Sequence, residues 1–372
     1  MPRRRSGGSV SVVAYDLGNP ELDATIRDLV AQASENPNSD LITEMLTTVL
    51  KLHRDSAPRG DLKLVNTALK EMRYSMLVFR RHDEPKVTMY GSARLGEGTA
   101  DYLLAEKFAA KMVERKWGVI TGAGPGIMEA GNKGAGPENS YGVNIRLPFE
   151  ASANQYVLAE RTVNFKYFFT RKLGFVKESH AFALFPGGFG TLDETFELLT
   201  LIQTGKSDLH PIVMLESEGT GYWQPLIDFA TDVLVAKGLI SERDLDLFSF
   251  TSDPVEAADE ICRFYANYHS QRYVDGRLVL RLAVPPSPEL LERLNDEFAD
   301  IVVTGQIETI EPTPAEVRDN DALDKARIGF HFDRRQFGSL RRLLDILNEQ
   351  AATPDEVHPP SPFTDEQADR EW

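Results

Sequence analysis

The chain has one cysteine, Cys262, among 372 residues. That excludes an internal disulfide framework and makes a packed thiol the simplest reading. Its seven histidines are scattered, with no pair at metal-ligand spacing, so no metal site is expected. No apolar run approaches the roughly 20 residues needed to cross a bilayer. Cations are scarce, 41 Lys and Arg against 57 Asp and Glu, and the formal net charge of −16 argues against a broad nucleic-acid surface. Arg3 to Arg5 lead only into a Gly/Ser stretch and a short apolar run, so no secretory or transport signal is expected. These absences point to a cytoplasmic protein that partners neither a nucleic-acid polymer nor a membrane. The length leaves room for two or three domains.

Glycine is present in clusters, each after a strand-like run. In PGGFGTLDETFE, residues 186 to 197, a bend follows the apolar run Ala181 to Phe185 and opens onto a helix-like segment. Gly187, Gly188 and Gly190 allow a sharp bend and close ligand approach, and Thr191 is placed where a helix N-cap belongs. Free amides and the positive dipole end at a helix start form an anion site, here suited to a phosphate. Glu194 lies one turn on. Thr191 to Glu194 also fits a capping box, in which the Glu reaches back to the cap amide. A structural cap and a functional carboxylate therefore compete at Glu194.

A second segment, residues 161 to 177, holds Arg161, Lys166, Arg171, Lys172 and Lys177 with no acidic residue. Phe165, Phe169, Leu173 and Val176 follow helical spacing as one apolar stripe, with Asn164, Tyr167 and Arg171 on another face. A solvated basic face is the plain reading. Arg171, whose planar fork can donate two hydrogen bonds at once, instead suits phosphate or ribose. Two further turns follow strand-like runs. VTMYGSARLGEG, residues 87 to 98, offers Gly91 and Ser92, and WGVITGAGPGIMEAGNKGA, residues 117 to 135, offers Gly122 and Gly124. The latter is not the dinucleotide fingerprint, whose third glycine is replaced by Ile127, nor a phosphate-binding Walker loop, since Asn132 follows Gly131. Three such turns belong together at the carboxyl ends of a parallel sheet, where open α/β folds bind ligands.

On these residues the chain resembles the Lonely Guy (LOG) family of nucleoside 5′-monophosphate phosphoribohydrolases. PGGFGTLDE matches the family's PGGxGTxxE signature and Arg171-Lys172 its Arg-Lys pair, within a resemblance spanning about residues 84 to 272. The flanks look more like the longer bacterial members, and GAGPG departs from the GGG form of short members. Sequences of this kind have been labelled lysine decarboxylases, a label the chemistry of the motif does not support. The resemblance implies a hydrolase without a cofactor that releases a free base and ribose 5-phosphate, working as a homodimer or larger homo-oligomer. It makes Arg171 and Glu194 the catalytic pair. It assigns Gly91, Ser92, Gly122, Gly124, Lys172, Gly187, Gly188, Gly190 and Thr191 to substrate and phosphate. A non-catalytic nucleotide sensor on the same fold is the alternative, although a sensor would need the phosphate loop and not the carboxylate.

The residue types suit that chemistry. Breaking an N-glycosidic bond builds positive charge on the ribose and negative charge on the base. A carboxylate beside the anomeric carbon can stabilise the ring and orient or deprotonate water. Arg171 is expected to favour the ionised form of Glu194. Asp193, Tyr167 and ordered water remain open as proton donors to the base.

Strand-like runs near 86–92, 118–122, 141–147, 181–185, 211–215 and 246–250 alternate with helical segments. Long helices at 221–238 and 254–271 are expected to close that array. The fold expected is α/β, a Rossmann-like doubly wound parallel sheet. Residues 1–83 read as a tail and a helical region, and 84–272 as the catalytic domain. Residues 273–350 form a βαββα module like half of a ferredoxin or ACT unit, with Arg341 and Arg342 on a solvated helix face. Residues 351–372 are Pro- and acid-rich and expected to be disordered. All the candidate residues precede the βαββα module, so its role is expected to lie outside the chemistry.

Overall fold

The structure is a computed structural model that describes residues 15–146, 153–352 and 359–360. Most of the expected N-terminal tail, the end of the strand expected at 141–147 and most of the expected disordered C-terminus lie outside the described residues. The chain divides into two compact units, residues 1–70 and 71–372.

The first unit is helical, as the apolar spacing implied. It holds α1 (Pro20–Ala33), α2 (Ser39–Arg54) and the start of α3 (Arg59–Phe79). Asn19 caps α1 by accepting from the amides of Glu21 and Leu22, and Pro20 occupies the first helical position, where its missing N–H costs nothing.

The second unit is built on a seven-stranded sheet in the order β4-β3-β2-β1-β5-β6-β7. Its strands are β1 (Lys86–Tyr90), β2 (Gly118–Thr121), β3 (Ser140–Ile145), β4 (Thr162–Phe165), β5 (Ala181–Leu184), β6 (Ile212–Leu215) and β7 (Ser249–Thr251). Every pairing is parallel. The central strands are short continuous runs such as AFAL and IVML, buried along their whole length, because helices cover both faces of a parallel sheet. Those helices are α4 (Ala100–Glu114), α5 (Ile127–Ala135), α6 (Phe168–Glu178), α7 (Phe189–Gln203), α8 (Gln224–Phe229) and α9 (Pro254–Phe264). The chain steps outward from β1 to β4, then returns to pair β5 on the other side of β1. The order therefore reverses between β1 and β5, and such a switch point opens a crevice at the carboxyl ends of the strands.

Three expected helices differ. The basic stretch 161–177 is not one helix: Thr162–Phe165 pairs with β3 as an edge strand and the helix begins at Phe168. Its expected apolar stripe also dissolves, since Phe165 is buried in the strand while Phe169 and Leu173 are exposed. The face turned inward carries Thr170, Arg171, Gly174 and Phe175. The expected helix 221–238 is α8 followed by a π-helical stretch, Ala230–Val235. The expected helix 254–271 ends at Phe264, and Tyr268–Val274 is β8 of a second sheet.

That second sheet is antiparallel, in the order β10-β11-β9-β8, with β9 (Arg277–Leu282), β10 (Val302–Thr309) and β11 (Ala326–Phe332). It carries α10 (Pro288–Glu297), α11 (Pro314–Asp319) and α12 (Phe337–Asn348). Arg341 is not solvated: it is 3% exposed and paired with Glu260 of α9 at 2.8 Å and with Asp345 at 2.9 Å. Its neighbour Arg342 is exposed.

Candidate active site

The glycine bend after β5 falls at the switch point. α7 takes Gly188 as its N-cap, so Thr191 is the third helical residue and not the cap expected of it. Thr191 is buried and packs its side chain against Gly187, where a Cβ would collide with the Thr191 hydroxyl. A Cβ at Gly188 or at Gly190 would meet nothing within 4 Å, which leaves open space over the first turn of α7. The early amides of that turn have no intrahelical acceptor.

The other two turns are tied to this one through the backbone. The Ser92 amide donates to the Pro186 carbonyl at 3.0 Å, and the Ile127 amide donates to the Ser92 carbonyl at 3.0 Å. Gly126, at φ +69°, lies so close to the Ser92 carbonyl that a side chain could not fit. Gly91 is needed for a similar reason, since a Cβ there would strike Ile127. Gly124 faces Met128, which folds back over the turn. Within the same turn Ala123 holds φ +57°, a left-handed conformation uncommon outside glycine and worth a functional question.

Arg171 reaches this crevice from α6. Its Nε donates to the Val143 carbonyl at 2.9 Å, and the guanidinium stands over the Phe175 ring at 5.1 Å from the centroid. Gly122 makes the passage possible, because a Cβ there would collide with Nη2 of Arg171. Nη1 then lies 3.5 Å from Oε1 of Glu194, with the two side chains 10% and 15% exposed. Glu194 thus faces an arginine. It does not reach back to the helix cap, and the capping-box alternative is not realised.

Burial pushes the Glu194 carboxyl up to about 7, while Arg171 and then Lys172 pull it down. Arg171 favours the ionised form of Glu194, as expected of it, but burial is the larger influence. Desolvation outweighs a guanidinium at 3.5 Å. Lys172 does not point at the glycine bend: it pairs with Asp193 at 2.9 Å and Glu197 at 3.1 Å, clamping α6 to α7. Of the open candidates for protonating the base, Asp193 is held by Lys172, and Tyr167 stacks on Phe169 at 5.5 Å.

Two residues escaped the sequence reading. Asn154 clamps the turn after β2, its backbone amide donating to Ala123 at 2.8 Å and its side-chain amide to Gly124 at 3.0 Å. The Tyr222 hydroxyl donates to the Gly187 carbonyl at 2.7 Å. Asn154 stands in no glycine cluster, and the Gly219–Gly221 stretch before Tyr222 follows no phosphate-loop pattern, so no local signal marked either residue.

Part of this region also matches a known family. The sequence profile of a family described as "possible lysine decarboxylase" matches residues 122–261. A pyrimidine/purine nucleotide 5′-monophosphate nucleosidase of Escherichia coli K12 is 26% identical over 239 residues, 60% of this chain and 52% of that protein. The cytokinin riboside 5′-monophosphate phosphoribohydrolase LOG1 of Arabidopsis thaliana is 42% identical over 71 residues, 19% of this chain and 32% of its own length. The chain spans about half the length of the nucleosidase and a third of that of the LOG1 protein. Among solved structures, the molybdenum cofactor carrier protein of Chlamydomonas reinhardtii aligns with a TM-score of 0.33 and 16% identity, over 47% of this chain and 95% of that one.

Proposed function

We propose that the protein hydrolyses the N-glycosidic bond of nucleoside 5′-monophosphates, releasing a free base and ribose 5-phosphate. The observation that carries this reading is the Arg171–Glu194 pair, which stands one helical turn from the glycine bend at the start of α7. A 5′-phosphate at the free amides of that turn places the ribose beside Glu194. Water adds through oxygen to the anomeric carbon as the bond to the base nitrogen breaks. The bonding pair leaves with the base, whose nitrogen takes up a proton. The ionised Glu194 carboxylate offsets the positive charge on the ring and accepts the proton of the attacking water. Arg171, fixed by Val143 and Phe175, holds the sugar or phosphate in register, turning binding into positioning.

The names of the two relatives point to nucleotide 5′-monophosphates as the substrate class. The acidic balance and lone cysteine support a cytoplasmic setting, and no helix among the described residues is long and apolar enough to cross a membrane. The deciding experiment incubates the protein with paired monophosphates and nucleosides and separates the products by chromatography. Free base and ribose 5-phosphate are expected from AMP-like substrates but not from adenosine. Equal turnover of AMP and adenosine, or none of either across the panel, overturns the reading.

A further inference from the structure

We infer that Tyr222 is a positioning residue that sets the direction of a phosphate-binding amide in the glycine bend. The inference rests on the reading of that bend as the phosphate site.

The Gly187–Gly188 peptide has glycine on both sides, so little steric resistance opposes its rotation between two orientations. A trans peptide is planar, with its C=O and N–H pointing in opposite directions. Whatever grips the Gly187 carbonyl therefore also aims the Gly188 amide. The grip is the Tyr222 hydroxyl, which donates to that carbonyl at 2.7 Å. Gly188 is the N-cap of α7, with open space where a Cβ would project. Its amide is one of the groups a phosphate would meet at the helix start.

Tyr222 is itself held firmly. It lies between β6 and α8, where the Glu216 carboxylate accepts from its backbone amide and from that of Trp223. The Trp223 indole donates back to the Leu215 carbonyl at 3.1 Å, and the Tyr222 ring packs edge-on against Trp223 at 4.8 Å. The Ser217 amide donates to Asp101 of α4 at 2.7 Å. The brace is thus anchored to two elements, β6 and α4, that do not carry the glycine bend. Thr191 packs on Gly187 from the helix side, so only the peptide's rotation is left for Tyr222 to fix.

The test is Tyr222→Phe in the full chain, which keeps the ring and removes the donor. Titration calorimetry with ribose 5-phosphate and with AMP reads the loop directly, and steady-state kinetics separates KM from kcat. Affinity for both ligands is expected to fall about tenfold, as one oriented charge-assisted hydrogen bond is lost. KM should rise to match and kcat should stay within about threefold. Binding of adenosine, which has no phosphate, should not change. That selectivity for the phosphate is what a merely structural tyrosine would not produce.

Unchanged ribose 5-phosphate affinity in Tyr222→Phe overturns the inference while leaving the proposed function standing. Equal loss of AMP and adenosine binding, or a variant that fails to fold by circular dichroism, also overturns it by making the hydroxyl a general support. A wild-type protein that binds neither ribose 5-phosphate nor AMP sinks both this inference and the site reading beneath it.

Discussion

At the scale of single residues, the balance of forces on Glu194 decides how the site responds to pH. Its carboxyl is raised by burial to about 7 from an ordinary value of 4.5. A group raised in the folded state stabilises the protein fully below its unfolded value. That contribution is lost as pH climbs through the folded value. Glu194→Gln is neutral at every pH, so it should match the wild type in melting temperature near pH 4.5 and exceed it at pH 8. Thermal melts across that range check this, and a variant less stable at pH 8 would mean that the ion pair with Arg171 outweighs burial. The same titration should show in catalysis. If the ionised form is needed, log kcat/KM rises with pH and levels off above about 7. A profile that falls instead would make Glu194 the acid that protonates the base. Glu194→Gln should still bind nucleotide while turnover drops by about a thousandfold, within the usual reach of a positioned acid–base group. Arg171→Ala should harm binding and turnover together, because it loses both the ligand contact and the anchor on Val143.

At the scale of elements, the glycines of the bend divide into two kinds that mutation can separate. Gly187 is packed, since a Cβ would drive into Thr191, and Gly187→Ala should cost about 1–3 kcal/mol in a chemical denaturation curve. Gly190 lies inside α7 with open space beside it. Gly190→Ala should therefore raise stability by about 0.5–1 kcal/mol, the usual gain for alanine in a helix. Its KM for the nucleotide should nonetheless rise if a phosphate needs that space. A Gly190→Ala protein with unchanged KM places the ligand elsewhere.

The same element shows what the sequence could and could not disclose. Glycine after a buried apolar run is a local signal, so β5, the bend and α7 were legible together. Thr162–Phe165 was not, because four residues of an edge strand run directly into a helix that shares their basic character. Helical spacing counted across that join yields a stripe that no surface uses. The inward face of α6 also defied pattern: it carries Arg171, and a buried arginine looks like a solvated one until its partners Val143 and Glu194 are in place. Tyr222 and Asn154 act on backbone carbonyls more than 25 residues away, a kind of contact that leaves no periodicity behind.

At the scale of the whole molecule, the exposed faces of α6 and α7 leave Phe168, Phe169, Leu173, Phe189 and Phe196 in contact with water, Phe189 at 92% exposure. So much apolar surface beside a site is costly for a monomer, and a homodimer or larger assembly is the expected working form. Sedimentation of active protein checks this, and a fully active monomer would refute it. The C-terminal region that carries the second sheet raises a different question, because it contributes none of the candidate residues, which lie between Gly91 and Glu194. From the sequence its role is expected to lie outside the chemistry. The structure ties it to the core of the second unit by several independent contacts. A Cβ at Gly338 would collide with the Arg243 carbonyl, and one at Gly205 with the Phe337 ring. Asn348 accepts from the amides of Asn267 and Tyr268 and donates to the Phe264 carbonyl. Arg341 closes on Glu260. A chain ending at Arg272 would cut β8 short and strip α12 from α9, taking Asn348 from those amides and leaving Glu260 with Arg263 alone, at a cost of about 1–3 kcal/mol for each buried amide left unsatisfied. It is expected to lose its cooperative thermal transition by circular dichroism. Any fraction that stays folded should still cleave nucleotide per folded molecule. A well-folded truncation with no turnover would instead place part of the active site in the C-terminal region.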